Sequence, residues 1–275
     1  MKKPIDFDGM FEEKLTVYMK ANAGKYSEEE WEERIPKLYL RFADTFVAAA
    51  GDTPRGFYEK MTDEELVSSL EAHEREGVPV NDFLLRALEE RKPKELFRLF
   101  ASENEALLSF AVRLGEGYDK EAVVPYYVNL LRSNPSEALL SAATEYLSGA
   151  ADECKELLLA AIAEGNAREE FYEILSCCKE RDERVFSLLL AAFETGQERL
   201  KRAKYLLHYG DERAVKPLMK ALYSAETDYI EYRELKNAVE ALGGVVEKER
   251  DFSADPAFSE LRYKSERAGE EENKS

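Results

Sequence analysis

Asp119-Lys120-Glu121-Ala122-Val123-Val124-Pro125-Tyr126 returns 92 residues later, without a gap, as Asp211-Glu212-Arg213-Ala214-Val215-Lys216-Pro217-Leu218. Between the two copies the same register can be followed in columns of apolar residues. Val123, Cys154, Val185 and Val215 are spaced by 31, 31 and 30 residues. Tyr126, Leu157, Leu188 and Leu218 run beside them, and Leu131, Ile162, Phe193 and Tyr223 form a third column. A period near 31 residues in a helical pattern is the signature of stacked helix pairs, in which each unit covers the apolar face of the next.

The partner helix of each pair repeats as well. Leu107, Phe110, Ala111 and Leu114 stand at positions 0, 3, 4 and 7 of an apolar stripe. Leu139/Ala142/Ala143/Tyr146, Phe171/Ile174/Leu175/Cys178 and Leu235/Ala238/Val239/Leu242 follow the same spacing, which places all four on one side of a helix. The copy at Leu200, Ala203, Lys204 and Leu207 is broken by a lysine. Gly115, Gly149, Gly210 and Gly243 are read as the positive-φ residues that close four of these helices. Asn134-Pro135 is read as a cap followed by a first-turn proline.

Upstream, Ser27-Glu28-Glu29-Glu30 and Thr62-Asp63-Glu64-Glu65 have the form of capping boxes, and Thr53-Pro54 that of a cap with proline in the first turn. A further helix is expected from about Asn81 to Arg91, and no alternating run argues for a strand. These helices do not join the 31-residue columns. The reading divides the chain into a helical cap or bundle over 1–78, a repeat array over 79–264, closed by a short helix from Asp255-Pro256, and a disordered acidic tail over 265–275.

The segment at 211–218, preceded by Gly210 and followed by Met219-Lys220-Ala221-Leu222, resembles a HEAT-like repeat of the variety also seen in phycobilisome lyases. Glu234-Leu235-Lys236-Asn237-Ala238-Val239-Glu240-Ala241-Leu242-Gly243-Gly244 is similar to that repeat's second helix. The resemblance covers about residues 93–244. It implies an all-α fold, a right-handed α-α superhelix whose second helices line the concave face, and a protein or peptide partner on that face. A proline inside the first helix, which removes an amide donor and bends the helix, suits such stacking. A tetratricopeptide array would show a period of about 34 residues.

Composition narrows the function classes. The formal net charge is −18, and residues 1–78 contribute −7 of it, from 18 acidic and 11 basic side chains. A surface acidic throughout repels phosphate backbones and anionic lipid, so neither nucleic acid nor a membrane is an expected partner. The start, Met1-Lys2-Lys3-Pro4-Ile5-Asp6-Phe7-Asp8, does not read as a secretory signal, and no run approaches a membrane span. Three cysteines without metal-like spacing, two of them the adjacent Cys177 and Cys178, indicate reduced thiols and a cytoplasmic protein.

Candidates for chemistry are few. His73-Glu74 resembles one histidine–glutamate pair of the deoxyhypusine hydroxylases, a HEAT-like iron family that needs several such pairs. His208 is followed by Tyr209, so the set is missing and His73 reads as a structural residue. No metal or cofactor site is expected. Cys154 lies in a core column, and no histidine neighbours Cys177 in sequence. The exception to the acidity is Arg199-Leu200-Lys201-Arg202-Ala203-Lys204-Tyr205. If second helices line the groove, Lys201, Arg202 and Lys204, with Tyr172, Tyr205, Tyr209, Tyr232 and Arg233 on the same class of helix, would receive an acidic segment. Tyrosine and arginine are the side chains that dominate binding hot spots. The expectation is a non-enzymatic scaffold. The repeat variety alone suggests a bilin lyase-like enzyme instead, and the HEAT-like alkylpurine DNA glycosylases suggest a nucleic-acid binder.

Overall fold

The local helix signals act as they read. In the computed structural model, which describes residues 3–253, 255, 256 and 258–260, Ser27 and Thr62 each accept from the amide three residues on while Glu30 and Glu65 return to the cap amide. Thr53 accepts from Gly56, and Asn81 from Leu84. All regular structure among the described residues is helical, and a lone bridge between Val47 and Asp52 closes one turn.

The chain forms two compact units, one up to Ala143 and the other from Thr144. The first contains α1 (Phe7–Ala21), α2 (Glu28–Ala43), α3 (Pro54–Glu59), α4 (Asp63–Glu76), α5 (Asp82–Arg91), a 3-10 helix (Lys94–Ala101), α6 (Glu105–Gly115) and α7 (Lys120–Arg132). The boundary falls inside α8 (Glu137–Ser148). The second contains α9 (Ala151–Ala163), α10 (Glu169–Ser176), α11 (Glu183–Glu194), α12 (Arg199–Tyr209), a 3-10 turn (Glu212–Ala214), α13 (Val215–Leu222) and α14 (Tyr229–Ala241). Pro256 and residues 258–260 are helical too, and Phe258 packs edge-on against Tyr229, the first residue of α14. The tail expected at 265–275 lies outside the described residues.

One hydrophobic core runs across residue 78 in the first unit, from Phe7 through Leu66, Leu70, Leu84 and Leu99 to Leu114. Inside it sits a polar chain. Asn81 Nδ2 donates to the Ile5 carbonyl at 3.1 Å and to Tyr58 Oη at 2.8 Å. Tyr58 Oη lies 3.5 Å from His73 Nε2, and His73 Nδ1 lies 2.8 Å from the Pro79 carbonyl. A carbonyl can only accept, so Nδ1 donates to Pro79. Burial pushes the Tyr58 phenol up, which keeps it a donor. His73 is thus a fully satisfied core histidine.

The repeat register differs from the sequence columns in one instructive way. Val123, Cys154 and Val185 are fully buried, but in the last copy the buried residue is Ala214, with Val215 half-exposed. Leu157 is 40% exposed, and the buried column is Tyr127, Leu158, Leu189 and Leu218. Tyr223 is 44% exposed, with Leu222 buried in its place. The true steps are therefore 31, 31 and 29 residues. The cause is the 3-10 turn at Glu212–Ala214. It turns the chain by about 120° per residue instead of about 100°, so the stripe of α13 arrives early. Pro217 consequently falls in the first turn of α13, whereas Pro125 lies within α7.

Three further readings are corrected. Gly210 and Gly243 have positive φ, but Gly115 and Gly149 do not. Gly115 is needed for space instead: a Cβ there would stand 3.0 Å from Tyr127 Oη and 3.2 Å from Phe100. Asn134 is itself left-handed, at φ 57°, and α8 begins only at Glu137, so Pro135 precedes the helix instead of standing in its first turn. The lysine that broke the stripe at 204 disappears when α12 is viewed in its own register, which buries Ala203, Tyr205, Leu206 and Tyr209.

In the second unit the first helices of successive pairs are joined by a recurring arginine. Asp182 caps α11, and Arg184 folds back onto Asp182 while reaching Glu156 of α9 at 3.0 Å. Twenty-nine residues on, Asp211 and Arg213 repeat this, with Arg213 reaching Glu183 of α11 at 2.8 Å. The second helices pack in sequence too, α10 on α12 and α12 on α14.

Two outcomes follow from this packing. Asn81→Ala removes a helix cap and two further hydrogen bonds, one buried and one part-buried, and should lower stability by about 2–4 kcal/mol in urea unfolding of the full chain read by Trp31. Asn81→Asp keeps the cap acceptor but loses the donors, and should also destabilise. The Arg184 guanidinium holds the Asp182 carboxyl down at about 2, against about 4 for an ordinary aspartate. Charged Asp182 thus contributes stability above about pH 4 that is lost as pH falls through about 2. Asp182→Asn should flatten the loss of helical circular dichroism in that window.

Candidate functional site

The eight residues that the sequence assigns to a binding face all lie in the second unit, on α10, α12 and α14. Packing divides them. Tyr205, Tyr209 and Tyr232 are buried, which corrects their expected exposure to a groove. Tyr205 Oη approaches Glu173 Oε2 at 3.5 Å, and burial pushes its phenol up so that it remains the donor. Tyr209 Oη accepts from the Asp182 amide at 2.8 Å and donates to the Asp182 carbonyl at 3.1 Å, pinning the turn before α11. Tyr232 meets Glu249 and the ring of Phe252.

Arg202 is likewise structural. Its guanidinium pairs with Glu169 at 3.0 Å, donates to the Ala192 carbonyl and to Thr195 Oγ1 at 2.8 Å each, and lies 5.7 Å from the Tyr172 ring. Most of the basic stretch is neutralised in this way. Arg199 pairs with Glu231 at 3.3 Å and Lys204 with Glu234 at 3.7 Å, each tying α12 to α14. Lys201 and Arg233 have no carboxylate partner among the described residues, and with Lys204 they are the exposed members of the set. Lys201 and Lys204 are one turn apart on α12, and Arg233 adjoins Glu234 on α14. A separate cleft of about 430 Å³ is lined chiefly from α11 and α13, by Phe193, Glu194, Pro217, Lys220 and Ala221, with Arg199 from the start of α12.

Sequence reasoning missed one contact. His208 Nδ1 stands 3.7 Å from Cys177 Sγ and 3.5 Å from Ser176 Oγ. The two partners are 31 residues apart, so the repeat period itself was the signal. Both Ser176 and Cys177 also donate to the Glu173 carbonyl, at 2.6 and 3.5 Å. The imidazole is therefore shared between a hydroxyl and a thiol that already have an acceptor. Cys154 and Cys178 direct their sulfurs at one carbonyl, that of Ala151, at 3.5 Å each, and burial pushes both thiols up to about 12. Among the described residues no three histidine, cysteine or carboxylate side chains are grouped as a metal site, and no helix is long and apolar enough to cross a membrane.

No protein-family profile, curated protein or solved structure matches the chain.

The thiol environments give a direct check. Iodoacetamide at neutral pH should add one label to the native protein, at Cys177, with Cys154 and Cys178 labelled only after unfolding. Early labelling of either buried thiol, read by peptide mass spectrometry, would contradict the packing described.

Proposed function

We propose that this chain is a non-enzymatic HEAT-like scaffold, a right-handed superhelix of helix pairs that holds a protein or peptide partner against its second-helix layer. The observation that carries the reading is the repetition of the same contacts along the second unit. Asp182–Arg184–Glu156 and Asp211–Arg213–Glu183 join one row of helices, and Arg202–Glu169, Arg199–Glu231 and Lys204–Glu234 join the other. Rows tied in this manner make a rigid extended surface, the form in which repeat proteins bind other chains. Three free thiols agree with a reducing, cytoplasmic setting.

The contact surface centres on Lys201, Lys204 and Arg233, with the half-buried Tyr172 beside Arg202, and it suits an acidic segment of a partner. The net charge disfavours nucleic acid and anionic membranes. Capture from the native cells with wild type and a Lys201→Glu/Lys204→Glu/Arg233→Glu variant tests the placement. The variant should lose the retained partner; because Lys204→Glu also sets a second carboxylate against Glu234, Lys201→Glu/Arg233→Glu alone is the fold control, and it should keep the wild-type melting curve and still lose the partner. Arg202→Glu, by contrast, should lower the melting temperature, because it leaves Glu169 facing a second carboxylate. Identical retained proteins for wild type and the triple variant would refute the surface.

A further inference from the structure

The first unit carries a second surface whose chemistry is more specific. Helices α1 and α2 pair as an antiparallel hairpin, with Phe11 against Tyr39 and Phe42 at one end and Tyr18 against Trp31 at the other. Yet α1 buries only Phe7 and Phe11 of its 15 residues, and α2 only Phe42 and Ala43 of its 16. Both buried sets lie at the base of the hairpin. Beyond it, Leu15, Tyr18 and Leu38 extend the apolar stripe along an open cleft of about 260 Å³. Phe46, directly after the cleft residue Thr45, is 65% exposed.

The rim decides what fits. Lys14 lines the cleft from α1 and Arg41 from α2. Lys14 Nζ rests 4.9 Å from the centre of the Phe42 ring. Neither cation has a carboxylate partner among the described residues, whereas Arg55 and Arg98 of the same unit are paired with Asp44 and with Glu64 and Glu71. On the other side of the hairpin, a second cleft that shares Phe11 and Leu15 is rimmed by Asp8, Glu12 and Asp82. The two sides are apolar at the bottom and opposite in sign at the edge.

We propose that the cleft between α1 and α2 receives an acidic amphipathic helix of a partner protein, completing a three-helix bundle. Two packed helices present a groove whose natural complement is a third, at interaxial distances of about 8–10 Å. The ligand places apolar residues at i, i+4 and i+7 over Phe11, Leu15, Tyr18 and Leu38. Because Lys14 and Arg41 stand on opposite walls, it carries Asp or Glu on both flanks of that stripe. A second copy in two-fold symmetry is a poor occupant, since the same face would meet itself and set Lys14 and Arg41 against their own kind. This surface is separate from the second-helix layer, and the proposal does not depend on it.

Trp31 is the chain's single tryptophan, and its contact with Tyr18 makes it a reporter for the cleft. Full-length protein is titrated, at about 0.15 M salt to screen the distant acidity, with a synthetic amphipathic helix bearing leucines at that spacing and glutamates on both flanks. The control is the same peptide with lysines for glutamates. The acidic peptide should change Trp31 fluorescence saturably and the basic one should not. Lys14→Glu/Arg41→Glu should weaken the acidic peptide by at least about tenfold and admit the basic peptide. That exchange of preference cannot come from misfolding. Leu15→Glu should abolish both. Equal binding of the two peptides, or of neither, overturns the proposal. So does light scattering that shows an oligomer of the free protein dissolved by the charge reversal, which would assign the cleft to a second copy.

Discussion

A helix packed between neighbours has one stripe to bury, and a slip of one residue turns that stripe by about 100°. The second unit obeys this constraint at every step, and its irregularities are responses to it. Where the 3-10 turn at Glu212–Ala214 winds the chain faster, burial shifts from Val215 to Ala214, and Leu218 and Leu222 follow in register. Close approach is then relieved by removing side chains. At Gly244 a Cβ would stand 2.8 Å from Val215 Cγ1 and 2.6 Å from Val239 Cγ1. In the first unit Gly115 leaves comparable room for Tyr127. Glycine thus serves closure at Gly210 and Gly243 and packing at Gly115 and Gly244.

Charge is organised around the same repeat. Arg184 and Arg213 each join the cap of their own helix to a glutamate of the preceding first helix. These pairs are largely exposed, and surface pairs contribute about 0–1 kcal/mol each. Apolar burial supplies the stability, and the arginines select the rotation at which neighbouring helices meet. Arg202 and Arg199 are more enclosed and do the same for the second row. Their removal from the list of free cations is why a stretch that reads as a basic patch is mostly an internal tie.

The all-helical fold was legible because capping and periodicity are local. Ser27, Thr53, Thr62 and Asn81 name their own helix starts, and no tertiary contact overrides them. The depth of each residue was less legible. The ungapped alignment of 119–126 with 211–218 hides a difference in winding that depends on whether the first turn is α or 3-10, and composition does not encode that choice strongly. The site residues divided for a related reason. A tyrosine on a second helix looks the same in sequence whether it faces solvent, as half-buried Tyr172 partly does, or a neighbouring carboxylate, as Tyr205 does. The pairing of Cys177 with His208 needed the repeat to be read as a distance in space as well as a spacing in sequence.

The acidity of the chain gives unpaired cations a particular meaning. With 57 carboxylates for 39 lysines and arginines, carboxylate partners are plentiful for the cations that the packing brings near them. Arg98 touches two glutamates, and Arg184 bridges a glutamate and an aspartate. Lys14, Arg41, Lys201 and Arg233 have no such partner among the described residues, a state they share with other cations such as Lys20, Arg34 and Lys220. What distinguishes Lys14 and Arg41 is that they line an apolar cleft, where an internal carboxylate would both cover the groove and cancel its sign. Leaving the cations bare there costs little in water, and it preserves for a partner the attraction that an internal salt bridge would already have satisfied.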